Sequence, residues 1–301
     1  MTAKETNHTI RPRLPAWLKR PLPKGENFQH VAQILKTLRL NTVCSSASCP
    51  NRGECYSQGT ATFMIMGNVC TRDCRFCGIS HGSAVPLESD EPQRLARAVG
   101  ELNLKHVVIT SVTRDDLPDG GAEHFARTIR AVRELTPKVT IEVLTPDFLG
   151  DTHSLDIVYQ AAPDVFNHNV ETTRRLTPEI RSGADYERSL SVLNYMAGLE
   201  NPPVIKSGLM LGLGETDEEI SRTLRDLHRA GVKMLTIGQY LRPGKNNYEV
   251  KKYYPPDEFE QIKQQAEKIG FSHVAAGPFV RSSYHAEKGV RNLLAAHRQN
   301  R

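Results

Sequence analysis

The stretch Cys70-Thr-Arg-Asp-Cys74-Arg-Phe-Cys77 places three thiols in a C-x3-C-x2-C run. A loop this short can direct all three sulfurs towards one point. A structural zinc usually takes four protein ligands, so a zinc knuckle suits three cysteines less well, and buried cysteines without a metal are the other alternative. Three thiolates suit an iron–sulfur cube with one iron left open to a small molecule. The run therefore predicts a cluster with one exchangeable iron.

A second group of three cysteines lies just upstream, at Cys44, Cys49 and Cys55. Pro50 and Gly53 permit the tight turns that would fold these thiols onto one metal group. All six cysteines lie between residues 44 and 77, whereas a disulfide framework would be spread across the fold that it staples. The clustering predicts two adjacent iron–sulfur sites, and the alternative is a zinc or zinc pair that uses all six thiols.

Apolar strands alternate with amphipathic helices from residue 61 onward, and this order is typical of a parallel sheet. Strands are predicted over 61–69, 106–112, 139–144, 165–171, 204–213, 234–241 and 273–276. Helices are predicted over 28–38, 125–135, 155–161, 186–199, 217–230 and 257–269. The first six strands give six β/α units, fewer than the eight of a closed barrel. We therefore predict an α/β fold, a partial (β/α)6 TIM-type barrel over 61–245, with a cysteine-bearing N-terminal extension (1–60) and a C-terminal extension (246–301).

Polar side chains follow several strands at the end where such barrels bind their ligands. The Cys70 loop itself follows the first strand, so it should lie at the same mouth. Amides, hydroxyls, a carboxylate and a guanidinium there suit the ribose or amino group of a polar cofactor, and solvated strand ends are the alternative. The candidate cofactor-binding residues are Thr110, Ser111, Asn169, Glu171 and Arg242.

Composition and charge narrow the class of protein. Hydrophobic residues make up 39% and charged residues 24% of the chain, as in globular proteins. The net charge of +5 comes from 39 basic and 34 acidic residues, which is not the footprint of a nucleic-acid-binding protein. No apolar run approaches the ~20 residues needed to span a bilayer, and the first residues lack the core of a signal peptide. We expect a cytoplasmic protein that binds neither nucleic acid nor membrane.

These motifs together resemble the lipoyl synthases of the radical S-adenosylmethionine superfamily. Besides the Cys70 loop, the resemblance rests on Asn41-Thr-Val-Cys44, Cys49-Pro-Asn51, Gly53-Glu-Cys55, Thr113-Arg-Asp-Asp-Leu117, Pro118-Asp-Gly-Gly-Ala122, Phe166-Asn-His-Asn-Val-Glu171, Lys206-Ser-Gly208, Gly238-Gln-Tyr-Leu-Arg-Pro243 and Arg281-Ser-Ser-Tyr-His285. The Gly-Gly-Glu that often follows the second strand in the superfamily is absent. Thr110-Ser-Val stands in its place, so the resemblance does not extend to the contacts with the cofactor's amino group.

The resemblance implies a sulfurtransferase that inserts two sulfur atoms, at C6 and C8, into an octanoyl chain linked to a lysine of a carrier protein. The cluster that binds and reduces S-adenosylmethionine would be held by Cys70, Cys74 and Cys77. An auxiliary [4Fe-4S] cluster, consumed as the sulfur source, would be held by Cys44, Cys49, Cys55 and Ser283. Ser283 would also act in catalysis, because a hard serine oxygen is a weak ligand for iron and can release it.

The implied partners are octanoylated carrier proteins, namely the lipoyl domains of dehydrogenase E2 subunits and the glycine-cleavage H protein. A small redox protein would supply electrons. Unactivated C–H bonds resist acid–base chemistry, so a radical from the cofactor is required. Another radical sulfur-inserting enzyme, such as biotin synthase, is the nearest alternative, and the cysteines that precede the barrel argue against it. A zinc-bound nucleic-acid-binding protein is the alternative from another class.

Overall fold

The computed structural model describes residues 15–19, 26–287, 289–290 and 293–294. Residues 1–14 and 20–25 of the predicted N-terminal extension lie outside the described residues, as does most of the segment after 287. None of the helices that are described has the length and apolar character needed to traverse a lipid bilayer.

The described helices and strands alternate along most of the chain. The α-helices are α1 Glu26–Thr37, α2 Val43–Ser46, α3 Arg52–Ser57, α4 Glu91–Glu101, α5 Ala122–Leu135, α6 Thr152–Gln160, α7 Thr177–Ile180, α8 Tyr186–Ala197, α9 Asp217–Arg229 and α10 Pro256–Ile269. The strands are β1 Asn41–Thr42, β2 Thr62–Ile65, β3 Val69–Cys70, β4 Ser80–His81, β5 His106–Ser111, β6 Thr140–Leu144, β7 Val165–Asn167, β8 Val204–Leu211, β9 Met234–Gln239 and β10 His273–Gly277. Short 3-10 turns lie at Ala16–Leu18 and Phe148–Gly150.

One large sheet organises the molecule, with the strand order β1-β2-β5-β6-β7-β8-β9-β10. Every neighbouring pair from β2 to β10 is parallel, and only the short edge strand β1 runs antiparallel to β2. Parallel neighbours need crossover connections, which the intervening helices provide. Within the described residues β1 and β10 do not pair with each other, so the sheet is curled but open. The predicted partial barrel is confirmed, and the predicted strand at 273–276 extends it as β10.

The outer helices pack on the sheet through apolar faces. On α4, Leu95 and Val99 lie four residues apart on one face and are fully buried. A capping box begins α9, because the Thr216 side chain accepts from the Glu219 amide while the Glu219 side chain accepts from the Thr216 amide. These helices hold the strand ends in place, and the strand ends carry the candidate site.

Two predicted strands are shorter than the sequence suggested. β2 ends at Ile65, because Met66 and Gly67 adopt positive φ angles of 67° and 90° and turn the chain before β3 pairs with β4 in a separate two-stranded sheet. β7 ends at Asn167, and Glu171, at φ 62°, meets β8 only through an isolated bridge to Leu209. Alternating strand geometry therefore does not extend to Glu171, since a left-handed residue cannot continue a strand.

Candidate active site at the mouth of the barrel

A cavity of about 500 Å³ opens where the strands of the large sheet end. Ser111, Leu144 and Gly238, at the ends of β5, β6 and β9, all line it. The cavity brings together most of the residues singled out from the sequence, which are Cys44, Cys49, Cys70, Cys74, Cys77, Thr110, Ser111, Asn169, Glu171, Arg242 and Ser283. Cys55 does not line the cavity, although its thiol, like the other five, is free of any disulfide.

Backbone amides donate to two of the three sulfurs of the Cys70–Cys77 loop. The Cys70 sulfur accepts from the amides of Arg72, at 3.4 Å, and Thr113, at 3.3 Å. The Cys77 sulfur accepts from the amide of Ile79 at 3.5 Å. Amide donors stabilise a sulfur that carries negative charge, so this loop is suited to present thiolates to a cation.

The loop thiols are also desolvated. Burial raises the pKa of Cys74 to about 12, although Arg181 opposes the shift. Burial raises the pKa of Cys77 to about 11. These thiols are therefore protonated at neutral pH when no metal is bound, and a bound metal group would displace their protons.

An arginine inside the loop fastens it to two strand ends. The Arg72 guanidinium donates to both carboxylate oxygens of Asp115, at 2.6 and 2.9 Å, and to Asp147 at 2.7 Å. Asp147 also accepts from Arg188. Arg72 and Asp147 are both buried, and two-point binding of this kind fixes geometry as well as charge.

The dense charge of the segment Arg114-Asp-Asp116 after β5 would suit a ligand contact, but these side chains bind other residues of the protein. Asp115 binds Arg72, and Arg114, which is buried, pairs with Asp116 at 2.7 Å. Thr113 accepts from the amide of Thr71 through its carbonyl oxygen. These charges are used within the protein to support the cysteine loop.

Thr62 joins the N-terminal cysteines to the C-terminal serine. Thr62 hydrogen-bonds to the sulfur of Cys44, whose pKa is raised by burial. The Thr62 hydroxyl also donates to the Ser283 hydroxyl at 2.7 Å. Cys44 and Ser283, which lie near opposite ends of the chain, are therefore neighbours at the start of β2.

Further contacts dock the C-terminal segment on the N-terminal cysteine region. The Asn51 amide donates to the carbonyl oxygen of Phe279 at 2.7 Å. The Tyr284 hydroxyl donates to the Glu54 carboxylate at 2.8 Å, and the His285 ring lies 3.4 Å from the same carboxylate. The two extensions predicted on either side of the barrel thus contact each other directly.

Several polar atoms in the cavity wall are buried without a hydrogen-bond partner among the described residues. They are Ser111 Oγ, Thr145 Oγ1 and Asn169 Oδ1. Buried polar atoms in native proteins are nearly always satisfied, so three of them around one cavity indicate that a polar ligand binds there. Thr145 was not singled out from the sequence.

Three other candidates have protein partners. The Thr110 hydroxyl donates to the carbonyl oxygen of Leu144 at 2.8 Å. The Glu171 carboxylate accepts from Asn169 at 3.0 Å, and burial raises its pKa against the opposing effect of Arg181. The Arg242 side chain donates to the Asn247 carbonyl oxygen at 2.8 Å and to that of Lys245. Arg242 therefore organises its own loop at the cavity rim.

Sequence reasoning missed Arg72, Thr62 and a buried ion pair between Glu142 of β6 and Lys206 of β8. The signal for the pair was present, because each charge interrupts an otherwise apolar strand, and charged residues are almost never fully buried unless they are paired. Which carboxylate would meet which amine could not be predicted without the strand order.

Within the described residues, no group of three or more His, Cys, Asp and Glu side chains could hold a metal ion. The three loop thiols nevertheless open onto one cavity.

Comparison with known families gives two matches along the chain. The model of the Radical SAM superfamily matches residues 64–227, which hold the Cys70 loop and most of the barrel. The model of the N-terminal domain of lipoyl synthase matches residues 2–49. The first match thus covers the barrel, and the second covers the start of the N-terminal cysteine group.

Several named proteins resemble the chain over nearly all of its length. The lipoyl synthase of Caldanaerobacter subterraneus subsp. tengcongensis is 52% identical over 92% of this chain and 97% of its own. That of Treponema denticola is 52% identical over 94% of this chain and 97% of its own. The mitochondrial lipoyl synthase of Nematostella vectensis is 48% identical over 92% of this chain and 94% of its own.

Solved structures resemble the fold at much lower identity. SuiB of Streptococcus suis, bound to S-adenosylmethionine, has a TM-score of 0.54 at 13% identity and covers 72% of this chain and 51% of its own. Methylornithine synthase has a TM-score of 0.51 at 14% identity, with 77% and 80% covered. At such identities the likeness concerns the fold alone.

Proposed function

Because the chain belongs to the lipoyl synthase family, we propose that it converts a protein-bound octanoyl-lysine to lipoyl-lysine by inserting sulfur at C6 and C8. As a member of the Radical SAM superfamily it uses a [4Fe-4S] cluster and S-adenosylmethionine. The observation that carries the proposal is the shared cavity, which is lined by the three loop cysteines, by Cys44 and Cys49 of the N-terminal group, by Ser283 and by three unsatisfied polar atoms.

The residues of the Cys70–Cys77 loop fit the cluster of the superfamily. Cys70, Cys74 and Cys77 would hold it, since their thiols open onto the cavity and backbone amides meet two of the sulfurs. When bound, the cluster and S-adenosylmethionine supply the radical chemistry that an unactivated C–H bond requires. Arg72 keeps the loop in place through Asp115 and Asp147.

Polar groups of the cavity wall would orient S-adenosylmethionine. Ser111 Oγ, Thr145 Oγ1 and Asn169 Oδ1 are the free groups that support this role. Thr110, Glu171 and Arg242 line the same cavity and complete the proposed cofactor contacts. The Thr110 hydroxyl and the Nε and Nη2 atoms of Arg242 also donate to backbone carbonyl oxygens, so both residues support the cavity wall as well.

The apolar part of the cavity would receive the octanoyl chain. Met64, Leu209 and Met210 line it beside the cysteine loop. An aliphatic chain against such side chains excludes water from the reacting carbon atoms. Its carrier would remain outside, which is compatible with the open edge of the sheet.

The N-terminal cysteines and Ser283 would hold the auxiliary [4Fe-4S] cluster that supplies sulfur. Support comes from Thr62, which contacts both the Cys44 sulfur and the Ser283 hydroxyl. Cys49 lines the cavity, and Cys55 is assigned by its position in the sequence group. Ser283 would release iron more readily than a thiolate, because hard oxygen binds soft iron weakly.

The carriers that we propose are the octanoylated lipoyl domains of dehydrogenase E2 subunits and the glycine-cleavage H protein, with a small redox protein as electron donor. None of the six cysteines forms a disulfide, which favours a reducing compartment, and we propose the cytoplasm on that basis.

An anaerobic assay with an octanoyl-lysine peptide, dithionite and S-adenosylmethionine tests the function. Deoxyadenosine and dithiolated peptide should form together, from protein that holds about eight irons per chain as two cubes. The Arg97→Ala variant, changed at an exposed ion pair, is the control and should match the unchanged chain. Cofactor cleavage without thiolated peptide, or thiolation of dethiobiotin in its place, would contradict the proposal.

A further inference from the structure

A buried ion pair lies inside the barrel, away from the cysteines. Lys206 of β8 is 1% exposed and Glu142 of β6 is 0% exposed, and the Lys206 amine donates to the Glu142 carboxylate at 2.7 Å. The other Glu142 oxygen lies 3.1 Å from the ring of His106, and the Asn167 amide donates to the pair at 3.3 Å. The carboxylate is thus surrounded by three hydrogen-bonding partners.

Such a pair is not explained by stability alone. Taking two charges out of water costs several kcal/mol for each ion, and replacing a buried pair by apolar residues is often neutral or stabilising. The packed apolar residues around Ile141, Val143 and Ile205 show that this barrel can fill its core without charge. The reason for the pair therefore lies in what else it contacts.

The second contact of Lys206 is with the C-terminal segment. Its amine donates to the carbonyl oxygen of Ser282 at 2.6 Å. The Asn169 amide donates to the Ser282 hydroxyl at 2.6 Å. Ser282 is thus held by its backbone and its side chain at once, from β8 and from the segment after β7. The next residue along the chain is Ser283.

We propose that Lys206, held by Glu142, acts with Asn169 as a positioning device that fixes Ser282 and so holds Ser283 beside Cys44. The role of Ser283 as a ligand rests on the proposed function above. The positioning device itself concerns only how the C-terminal segment is attached to the barrel. A lysine suits the task because its amine has three donors, which can serve a carboxylate and a carbonyl oxygen together.

The contacts at the other side of the segment make the device necessary. Asn51 donates to the Phe279 carbonyl oxygen and Glu54 accepts from Tyr284, so the segment is bound to the N-terminal cysteine region on one face. That region is built from short helices and lies outside the barrel core. Lys206 and Asn169 tie the same segment to the barrel, and the geometry between Ser283 and the barrel cavity depends on both attachments.

Hydrogen–deuterium exchange on the full-length chain without clusters tests the device independently of activity. In the double variant Lys206→Met/Glu142→Gln, which removes both charges, we expect amide exchange across residues 279–287 to rise at least tenfold. Ser282→Ala, which loses only the Asn169 contact, should give a smaller rise. The matched control is Ser207→Ala on the same strand, which loses buried hydrogen bonds to the His168 carbonyl oxygen and from the Val170 amide. It removes neither contact of Ser282 and should leave 279–287 unchanged.

The result that overturns the device is exchange across 279–287 in the double variant equal to that of Ser207→Ala. If the Glu142–Lys206 pair only stabilised the barrel, its removal would raise amide exchange throughout β6 and β8 without favouring 279–287. This result too would overturn the proposed positioning role. If the double variant does not fold, Ser282→Ala against Ser207→Ala decides by the same criterion.

A second measurement separates this inference from the role of Ser283. In a background with Cys70, Cys74 and Cys77 changed to alanine, we expect a chelator to remove iron about tenfold faster from the double variant than from the Ser207→Ala control. Amide exchange across 279–287 could rise in the double variant while the rate of iron loss stays unchanged in both the double variant and Ser283→Ala. In that case the positioning role of Lys206 stands and the assignment of Ser283 as a ligand fails.

Discussion

The two cysteine regions are built in different ways. The Cys70–Cys77 loop follows one strand and is held by groups at the ends of the next strands, chiefly Asp115 and Asp147. The N-terminal group contacts the C-terminal segment through Asn51 and Glu54, and Thr62 donates to Ser283 itself, which is 221 residues further along the chain. A cluster that is kept through many turnovers benefits from rigid support by neighbouring residues. A cluster that is consumed as a sulfur source needs a ligand that is held by a distant part of the chain.

The largest expected effect comes from removing each cysteine group separately. Changing Cys70, Cys74 and Cys77 to alanine should abolish both deoxyadenosine and thiolated product, because no cluster would be left to engage the cofactor. Changing Cys44, Cys49 and Cys55 should abolish the product but leave deoxyadenosine formation. Anaerobic product analysis by mass spectrometry checks both. If the second variant still thiolates the peptide, the division of roles between the two groups is wrong.

Removing the Arg72 contacts that hold the Cys70–Cys77 loop should strongly lower the free energy of unfolding. Arg72→Met leaves the fully buried Asp147 with only Arg188 as a charged partner, and we expect a loss of about 3–5 kcal/mol in the free energy of unfolding. Urea unfolding of the cluster-free chain measures it. Arg97→Ala, which removes an exposed pair with Glu101, is the control and should cost less than about 0.5 kcal/mol. Equal losses of unfolding free energy in the two variants would show that Arg72 does not hold the loop in place.

Acid should lower the free energy of unfolding first through the protonation of His168. Burial, with the charge of Arg181 beside it, lowers the pKa of His168 to about 4 from 6.5. Between these values the unfolded chain binds more protons, so the free energy of unfolding falls as pH drops from 6.5 to 4, by up to about 3 kcal/mol. Urea titrations across this window should show the loss, and His168→Gln should reduce it. A slope unchanged by His168→Gln would refute the assignment.

The anchor of the C-terminal segment should resist acid further. Burial alone would raise the pKa of Glu142, but Lys206 and His106 outweigh it and hold the pKa at about 2, below the ordinary value of 4.5. The stabilisation from this carboxylate is therefore present above pH 4.5 and is lost as pH falls from 4.5 to 2. Amide exchange across 279–287 should therefore stay low as pH falls from 6.5 towards 4.5, where His168 becomes protonated.

The smallest expected effect is the most specific to Ser283. Ser283→Cys supplies a fourth thiolate, and we expect the chain to keep its iron but to lose at least tenfold in doubly thiolated product, because iron is then released less readily. Ser283→Ala serves as the comparison and should hold less iron. Iron analysis and product mass spectrometry measure both. Full double sulfur insertion by Ser283→Cys would show that weak ligation is not required.

The barrel, and the meeting of Cys70, Cys74 and Cys77 at one cavity, could be predicted from the sequence because both depend on local patterns. Alternating apolar strands and helices define the parallel sheet, and a C-x3-C-x2-C run directs its own thiols. Predictions failed where the backbone departs from repetition, as at Met66 and Glu171, whose positive φ angles end strands that the apolar pattern would have extended. No composition rule marks such residues.

The second site could not be assembled from the sequence by physical reasoning. Ser283 was assigned by resemblance alone, since a Ser-Ser pair by itself indicates only a turn. The contacts that support it come from Thr62, Asn169 and Lys206, which are distant in sequence from Ser283. Their meeting depends on strand order and on the docking of both chain extensions, and neither can be deduced from residue spacing.

The most direct test of the account is a single turnover with protein whose clusters were rebuilt from heavy-isotope sulfide, with no free sulfide present. We predict a lipoyl product that carries two heavy sulfur atoms, with the iron of the N-terminal group released in proportion and the Cys70–Cys77 cluster retained. Light sulfur in the product, or loss of the Cys70–Cys77 cluster in its place, would contradict the account.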